Sequence, residues 1–505
     1  VSLAKAIMGA GSFALPWAFS KMGYLAGPVF VAVFLALSVR SVGLLVECAR
    51  CLRREREQRR PQGRPRGQPQ PDTDDSSVSY VDVARWTLGP TGAALAYVAS
   101  ISASIGVCGS YLVFVSANLA SLLEQQQQQS DTGTNTTDGT LLVWAVALPI
   151  AVLLSSVRDA SRFASVSFWG DLSVVAGMVA VVVCGVLSER KGSDDHHDSE
   201  GGTIRNDNDN DDKGCVAIGS LGDTALALGS IGYLFLVHFL VLPIESSMAV
   251  AAVPPRDETV ASFSSLSGGR FETVVARTFV VCGAIGGLFG IAGYLLFGNE
   301  TRQIVLLNVE GGVWMNLVRS LLCIDLLLTY PVVMRPSIDI LEKQWLKHSR
   351  TNKKNGNRIN GSGSEEDEDE DNDTVVLVAS LLPPLAGEKG EDHRGSVSWG
   401  AHLAVCTLLG IVAAGAGTFV PAFGLLSGLV GGVSQTFLAF VLPPIMWSAG
   451  KRRQPERDER EQQRGCCDRL AGSVVPGRLP WREGSLVWIG AGLIVWTLHS
   501  AWIEV

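Results

Sequence analysis

The sequence predicts an all-α polytopic membrane protein with about 11 transmembrane helices, and three observations carry that prediction. Of the 505 residues, 47% are hydrophobic and only 18% are charged, whereas about a quarter of the residues in a typical soluble protein are charged. Most charges fall in four tracts, at residues 50–66, 194–212, 343–373 and 451–464. Between the tracts lie apolar windows that reach the roughly 20 residues needed to span a bilayer. This pattern argues against a soluble enzyme, a disordered chain and a secreted disulfide scaffold.

Each apolar window is predicted to be a helix, because a helix satisfies its own backbone hydrogen bonds in lipid. The windows also lack the strict alternation of barrel strands. The eleven segments cover residues 1–22, 25–47, 92–123, 141–156, 163–187, 216–253, 273–297, 312–341, 397–418, 423–447 and 484–503. Because Val1 already lies inside the first segment, we expect either a missing amino-terminal extension or a fragment.

The distribution of lysine and arginine predicts that the amino end lies in the cytoplasm. Positive residues are retained preferentially in cytoplasmic loops, and the junctions after segments two, four, six, eight and ten carry most of them. The odd-numbered junctions carry few, and two of them contain the sequons at Asn135 and Asn299. Both asparagines are therefore predicted glycosylation sites on the luminal or extracellular side. An odd number of spans places the carboxyl end on that outer side.

The long loops are predicted to be disordered or solvated because their composition cannot bury a core. They comprise a basic cytoplasmic loop at 50–80, an acidic luminal loop at 188–215, a cytoplasmic insert at 343–395 and a second basic loop at 448–483. Apolar residues recur at helical spacing within 79–88, which predicts a short helix at the cytoplasmic interface.

Segment one contains the first residues that could bind a ligand. Its middle holds four small residues, with a proline one turn later: Gly9, Ala10, Gly11, Ser12 and Pro16. Glycine costs about 1 kcal/mol relative to alanine in a helix and proline removes a hydrogen bond, so the helix is easily interrupted here. An interruption leaves amide donors at the start of a half-helix, where a carboxylate can bind. The alternative is a close helix contact of the GxxxG type.

Segment six carries a matching irregularity. Gly229 and Gly232 precede His238, and Pro243 and Glu245 follow it. Interrupted helices at corresponding places in two halves of a chain point to a transporter's substrate site near the bilayer midplane. Segments one and six each begin a group of five, so their spacing fits this arrangement.

Several stretches resemble the amino acid/auxin permease superfamily, most closely its proton-assisted and vacuolar amino acid transporter branch. The first helix of that branch is similar to LAKAIMGAGSFALPWAFSKMGYLAG, and its sixth to YLFLVHFLVLPIESSM. Later regions match in family order, namely YLLFGNETRQIVLLNV, LLLTYPVVMRPSIDILE and VPAFGLLSGLVGGVSQTFLAFVLPPIMW. The resemblance implies a LeuT-like inverted repeat of five plus five helices with one helix added, and transport by alternating access.

The resemblance also implies a domain organisation. Residues 1–505 would form a single amino acid transporter transmembrane domain. Its first repeat would cover 1–187 and its second 216–447, while 484–503 would be the added eleventh helix.

Binding residues follow from the same resemblance. The amides around Gly9, Ala10, Gly11 and Ser12 would hold the substrate carboxylate. Phe235 and His238 on the sixth helix would face the substrate's side chain or amine. For Phe235 an apolar helix contact is an equal alternative, and for His238 the alternative is a core imidazole bonded to a neighbouring helix.

Ionisable residues within membrane spans are costly and usually functional. Glu245 lies near the cytoplasmic end of segment six and is predicted to be a gate or a structural carboxylate, while Asp171 fits an interfacial position. Lys5 and Asp325 are predicted to form a buried pair whose protonation couples transport to a proton gradient. A static ion pair that only positions helix one is the alternative. Proton-assisted members carry a histidine one turn before the lysine, where this chain has Ser2, so the family's coupling residue is not carried over.

The sequence thus predicts a secondary transporter of small amino acids, coupled to protons or sodium, in a vacuolar, endolysosomal or plasma membrane. An amino acid sensor that signals through its cytoplasmic loops is the alternative. A membrane-embedded transferase using His238 and Asp325 is disfavoured, because no further polar residues cluster on one leaflet. The sequence has no P-loop or metal-ligand cluster, and the predicted partners are an amino acid and the lipid bilayer, with no cofactor and no nucleic acid.

Overall fold

The fold is described by a computed structural model. It covers residues 2–58, 78–129, 138–158, 161–195, 215–251, 260–309, 311–358, 398–420, 422–452 and 481–504. The α-helices of these residues are α1 Ser2–Ile7, α2 Leu15–Met22, α3 Ala26–Gln58, α4 Tyr80–Gln129, α5 Gly139–Leu142, α6 Leu148–Ser155, α7 Ser161–Asp195, α8 Leu221–Leu234, α9 His238–Ala251, α10 Val260–Phe297, α11 Val313–Arg358, α12 Trp399–Phe419, α13 Phe423–Val430, α14 Leu442–Arg452 and α15 Trp481–Glu504. Short 3₁₀ or π-helical turns join several of them, and the described residues contain no strand.

The prediction of an all-α polytopic membrane protein is confirmed. Within its described part, the chain has nine helices long and apolar enough to cross a membrane. The fourth predicted segment corresponds to a shorter apolar helix, Gly139–Ser155, and the first is divided into pieces. Together these account for the eleven apolar segments of the sequence.

The first segment is interrupted at its small residues. Helix α1 ends at Ile7, and Gly9 has an extended backbone with φ −115° and ψ −151°. A 3₁₀ turn over Ala10–Ala14 then leads into α2, which has Pro16 in its first turn. Proline is tolerated there because the first amides of a helix have no partner within it.

The sixth segment is interrupted between α8 and α9, at Phe235–Val237. This stretch contains neither glycine nor proline, so the break lies after the glycines that suggested an irregularity. Gly229 instead allows close packing, because a Cβ there would lie 1.9 Å from the carbonyl oxygen of Gly428 on α13. The segment is buried along its whole membrane-spanning window, so the backbone of the break faces protein rather than lipid, as the bilayer requires.

Helix α4 contains the predicted short helix as its first two turns. Gly89 has a positive φ of 76° just before Pro90, and this separates Tyr80–Leu88 from the long span that follows. The short helix packs on the bundle, because Val83 is buried and the Tyr80 hydroxyl donates to the Leu438 carbonyl at 2.9 Å.

Several helices continue past their apolar windows into charged sequence. Helix α3 continues to Gln58, α7 to Asp195 and α11 to Arg358. Arginine, glutamate, lysine and glutamine are good helix formers, so hydropathy marks only the part of each helix that faces lipid. Most of the 343–395 insert and of the loops at 50–80, 188–215 and 448–483 lies outside the described residues.

Candidate functional site

A small cavity lies beside the interruption of the first segment. Its volume is about 20 Å³, enough for about one water molecule. Its lining comes from both sides of the α1 break, from α4, from the α8–α9 junction and from α11: Ala6, Ile7, Gly9, Ala10, Gly11, Val107, Tyr111, Tyr233, Leu236, Phe239, Leu240 and Val333. The two interrupted segments therefore meet at one cavity.

Two glycines at this break make room for aromatic side chains. A Cβ at Gly11 would lie 2.6 Å from Cδ1 of the Tyr233 ring, and one at Gly9 would lie 3.4 Å from the Tyr111 hydroxyl. A contact below 3.0 Å forces a neighbour to move, and the Tyr233 ring is itself buried. Glycine is therefore required at position 11 because the Tyr233 ring leaves no room for a side chain. This requirement is independent of the flexibility that glycine gives the backbone.

Tyr233 is held in place by a hydrogen bond to α4. The Ser110 hydroxyl donates to the Val107 carbonyl at 2.7 Å, so the Tyr233 hydroxyl acts as donor to Ser110 Oγ at 2.5 Å. This arrangement orients the phenol ring over Gly11 and joins α8 to α4 at the cavity wall.

A second, larger cavity of about 610 Å³ begins next to the small one. The two share Ala6, Phe239, Leu240 and Val333 as lining residues. From Lys5 and Ala6 the larger cavity extends along α11 to the exposed Lys343, on the side predicted to be cytoplasmic. These four shared residues lie at the boundary between the two cavities. The larger cavity forms a vestibule that is wide enough for a small organic solute.

Lys5, on the wall of this vestibule, forms an ion pair with Asp325. Lys5 Nζ lies 2.8 Å from Asp325 Oδ1, and the side chains are only 11% and 6% exposed. The pair joins α1 to α11 and lies one turn before the break. Helix α7 packs against it at Gly170, where a Cβ would lie 1.9 Å from Asp325 Oδ1 and 2.7 Å from Lys5 Nζ.

Asp171 lies at the start of its span, Gly170–Ser188, and within electrostatic range of both Lys5 and Asp325. Its Oδ1 atom is buried without a hydrogen-bond partner among the described residues. The site around the pair therefore holds three ionisable side chains from α1, α7 and α11.

Glu245 is engaged at the other end of the vestibule. Arg53 on α3 donates to its carboxylate at 2.9 Å, and the Glu245 side chain is 10% exposed. Arg50 pairs likewise with Glu272 on α10, at 2.8 Å. Two arginines of α3 thus hold α9 and α10 at this end of the bundle. The role of Glu245 as a gate stays a prediction.

Phe235 and His238 lie outside the lining of the small cavity. The Phe235 ring stacks on Phe279 of α10, with centroids 5.7 Å apart. His238 is fully buried near Gln435, and neither ring nitrogen makes a hydrogen bond among the described residues. Their assignment to substrate binding stays a prediction. The same segment lines the cavity instead through Tyr233, Leu236, Phe239 and Leu240.

The remaining predicted site residues are Ser12, Asn299 and Asn135. The Ser12 hydroxyl is buried without a partner among the described residues and lies just outside the cavity lining. Asn299 is exposed in a 3₁₀ turn, Gly298–Glu300, at the end of α10. Asn135 lies outside the described residues. Glycosylation of either asparagine stays a prediction.

Two interrupted spans that meet at a small cavity, next to a wide vestibule, define a membrane transporter rather than an enzyme. Over residues 1–464 the chain matches the family model described as "Transmembrane amino acid transporter protein". The chain belongs to this family.

Relatives with known names agree with that assignment. The chain is 25% identical to amino acid transporter AVT3B of Arabidopsis thaliana over 345 residues, which are 67% of this chain and 70% of the relative. It is 25% identical to amino acid transporter ANT1 of the same plant over 438 residues, 86% and 80% of the two chains. A third relative is the vesicular inhibitory amino acid transporter of Rattus norvegicus, 24% identical over 176 residues, 35% of this chain and 27% of the relative.

The contact at Gly170 gives a first prediction. Gly170→Ala should displace the Lys5–Asp325 pair, because its methyl group would overlap the Asp325 carboxylate. Amide hydrogen exchange in detergent should then rise in α1, which loses its anchor to α11. Gly287→Ala is the matched control, since a Cβ there meets its nearest atom at 3.9 Å. Equal exchange of α1 in the two variants and the wild type would contradict the anchoring role.

Proposed function

We propose that this protein is a secondary transporter that moves small amino acids by alternating access around the interruptions of its first and sixth segments. The observation that carries the proposal is the small cavity at which both interruptions meet. Membership of the transporter family supports amino acids as the cargo, and the names of the Arabidopsis relatives agree with it.

The substrate carboxylate would bind at the 3₁₀ turn after Gly9. The first amides of a helix have no partner within it and carry partial positive charge, and no side chain caps this turn. The Tyr111 hydroxyl, beside Gly9, supplies a second polar group at the same wall. A zwitterion therefore finds donors for its carboxylate at the one part of the cavity that is not apolar.

The walls of the cavity favour a small, uncharged side chain. Val107, Leu236, Leu240 and Val333 are apolar, and the lining contains no charged residue. An ionised substrate side chain would lose its water there without gaining a partner, which is costly in a protein interior. The cavity must also widen for any amino acid to bind, since it now holds about one water.

The arrangement of the two ends of the helix bundle supports an inward-facing state of the transporter. The vestibule reaches the side predicted to be cytoplasmic, while on the opposite side a 3₁₀ turn, Val305–Asn308, covers the bundle. Arg319 donates to the carbonyls of Leu306 and Val309 at 2.9 and 2.8 Å, and the side chain of Gln303 accepts from the Gly424 amide at 2.8 Å. These bonds would have to break for the outer side to open.

The buried Lys5–Asp325 pair would couple transport to a cation gradient, with protons favoured over sodium. Lys5 belongs to the six-residue α1, which packs on α7, α9 and α10 and can move separately from α2. A LeuT-like repeat, an internal vacuolar or vesicular membrane and a cytoplasmic amino end complete the proposal. The vesicular relative supports an internal membrane.

Uptake of radiolabelled amino acids into proteoliposomes tests the transport site. Gly11→Val should reduce uptake by about tenfold or more, because the larger side chain meets the Tyr233 ring and fills the cavity. Gly43→Val is the matched control, since a Cβ at Gly43 has no neighbour within 4 Å. Undiminished uptake by Gly11→Val would refute the site. Tight binding with negligible flux in the wild type would favour an amino acid sensor instead.

Coupling is tested separately with an imposed pH gradient, and then with sodium. Asp325→Asn should abolish substrate-driven proton flux, because it removes the charge that Lys5 needs as a partner. Asp138→Asn is the control. Asp138 caps the start of α5 through the Thr140 amide, and asparagine caps helices equally well. Proton flux that persists in Asp325→Asn would exclude this carboxylate from coupling.

A further inference from the structure

We propose that Asp171 is the third member of the Lys5–Asp325 site and holds the proton that this site exchanges during transport. This inference rests on the proposed function and specifies its coupling step. Asp171 lies on α7 and belongs neither to the interruption of the first segment nor to the Lys5–Asp325 ion pair.

The geometry brings Asp171 to the pair through its neighbour Gly170. Because Gly170 has no side chain, the backbone of α7 approaches both Asp325 and Lys5 closely. Asp171 follows directly in the chain, and its charge acts on both members of the pair. Its Oδ1 atom is buried but has no hydrogen-bond partner among the described residues. A buried carboxylate oxygen without a donor is unfavourable unless the group takes up a proton.

A count of charges identifies what the site lacks. Lys5 contributes one positive charge, while Asp325 and Asp171 contribute one negative charge each, so the ionised site has a net charge of −1. An uncompensated charge within a membrane span is costly. One proton makes the site neutral, and Asp171 is the carboxylate that can take it without breaking the 2.8 Å contact between Lys5 and Asp325.

Among the side chains that the structure describes, the other titratable groups near Asp171 leave this count unchanged. Helix α10 contributes Cys282, whose thiol lies within electrostatic range of Asp171. Helix α4 contributes Tyr111, which lies within range of Asp325. Neutral thiol and phenol groups add no charge, so the three residues from α1, α7 and α11 determine the balance of the described side chains.

The vestibule supplies a route for the proton. Lys5 lines it, and the cavity continues to Asp339 and Lys343. A proton from solution can therefore reach the site in the arrangement seen here. When the site opens to the opposite side during alternating access, water surrounds Asp171 and its negative charge is no longer costly. The carboxyl group then releases its proton to that side, so each cycle binds one proton and releases one.

The test compares two measurements on the full-length protein in proteoliposomes. One is substrate-driven proton flux, followed with a pH-sensitive dye in the lumen. The other is exchange of labelled for unlabelled amino acid without any gradient, which needs the substrate site but no net proton movement. The variants are Asp171→Asn and Asp171→Glu, with Asp138→Asn as control.

Asp171→Asn should exchange amino acid within about twofold of the wild type and lose proton flux by about tenfold or more, because its site is neutral without a proton. Its uptake should no longer depend on pH. Asp171→Glu should retain the proton flux, since it restores the carboxylate. These results together would support Asp171 as the proton-binding residue.

Three results would overturn the inference. Wild-type proton flux and pH dependence in Asp171→Asn would exclude Asp171 alone. Loss of both exchange and proton flux in Asp171→Asn and Asp171→Glu would show a merely structural role. A wild type that exchanges amino acid with sodium flux in place of proton flux would exclude the proton. Absence of amino acid exchange in the wild type itself would contradict the proposed function as well, so the two failures are distinguishable.

Discussion

The need to satisfy backbone polar groups within a membrane governs this structure. A helix can be interrupted in lipid only where protein or water surrounds the break, and both interruptions here are buried inside the bundle. The first lies among small residues and the second, at Phe235–Val237, is enclosed on all sides. Because the two breaks meet, the backbone groups that lipid could not satisfy are gathered around one cavity, where a zwitterion could bind them.

The same interruption separates the short helix that carries Lys5 from α2. Helix α1 packs on α7, α9 and α10 and is joined to α11 by the Lys5–Asp325 ion pair, while α2 packs closely on α10, where a Cβ at Gly293 would lie 2.6 Å from the Pro16 ring. An ammonium group in such a place needs a carboxylate. The ion pair therefore anchors a short helix, and a change in its protonation would act on the proposed substrate site through α1.

The sequence was sufficient to predict the helical membrane fold and the position of the first break. The apolar windows of the sequence predict the number of spans. The run from Gly9 to Ser12 lowers the helix propensity in the middle of the first span. Which side chains face the cavity could not be predicted, because that depends on how each helix is rotated against its neighbours. No feature of the local sequence marks Tyr111 as a cavity residue. Phe235, His238 and Tyr233 lie close together in the chain, but of these three only Tyr233 lines the cavity. That Asp171 lies within electrostatic range of the ion pair could not be predicted, because the approach of α7 at Gly170 is a tertiary contact.

The central claim is that substrate binds at the break and is reached through the vestibule. Ala6 lines both cavities, so Ala6→Cys can be labelled with a membrane-impermeant thiol reagent from the side predicted to be cytoplasmic, and the wild type gives the background from native cysteines. The account predicts labelling that transported amino acids suppress at concentrations near their transport KM. Labelling that is unaffected by every transported amino acid would contradict it.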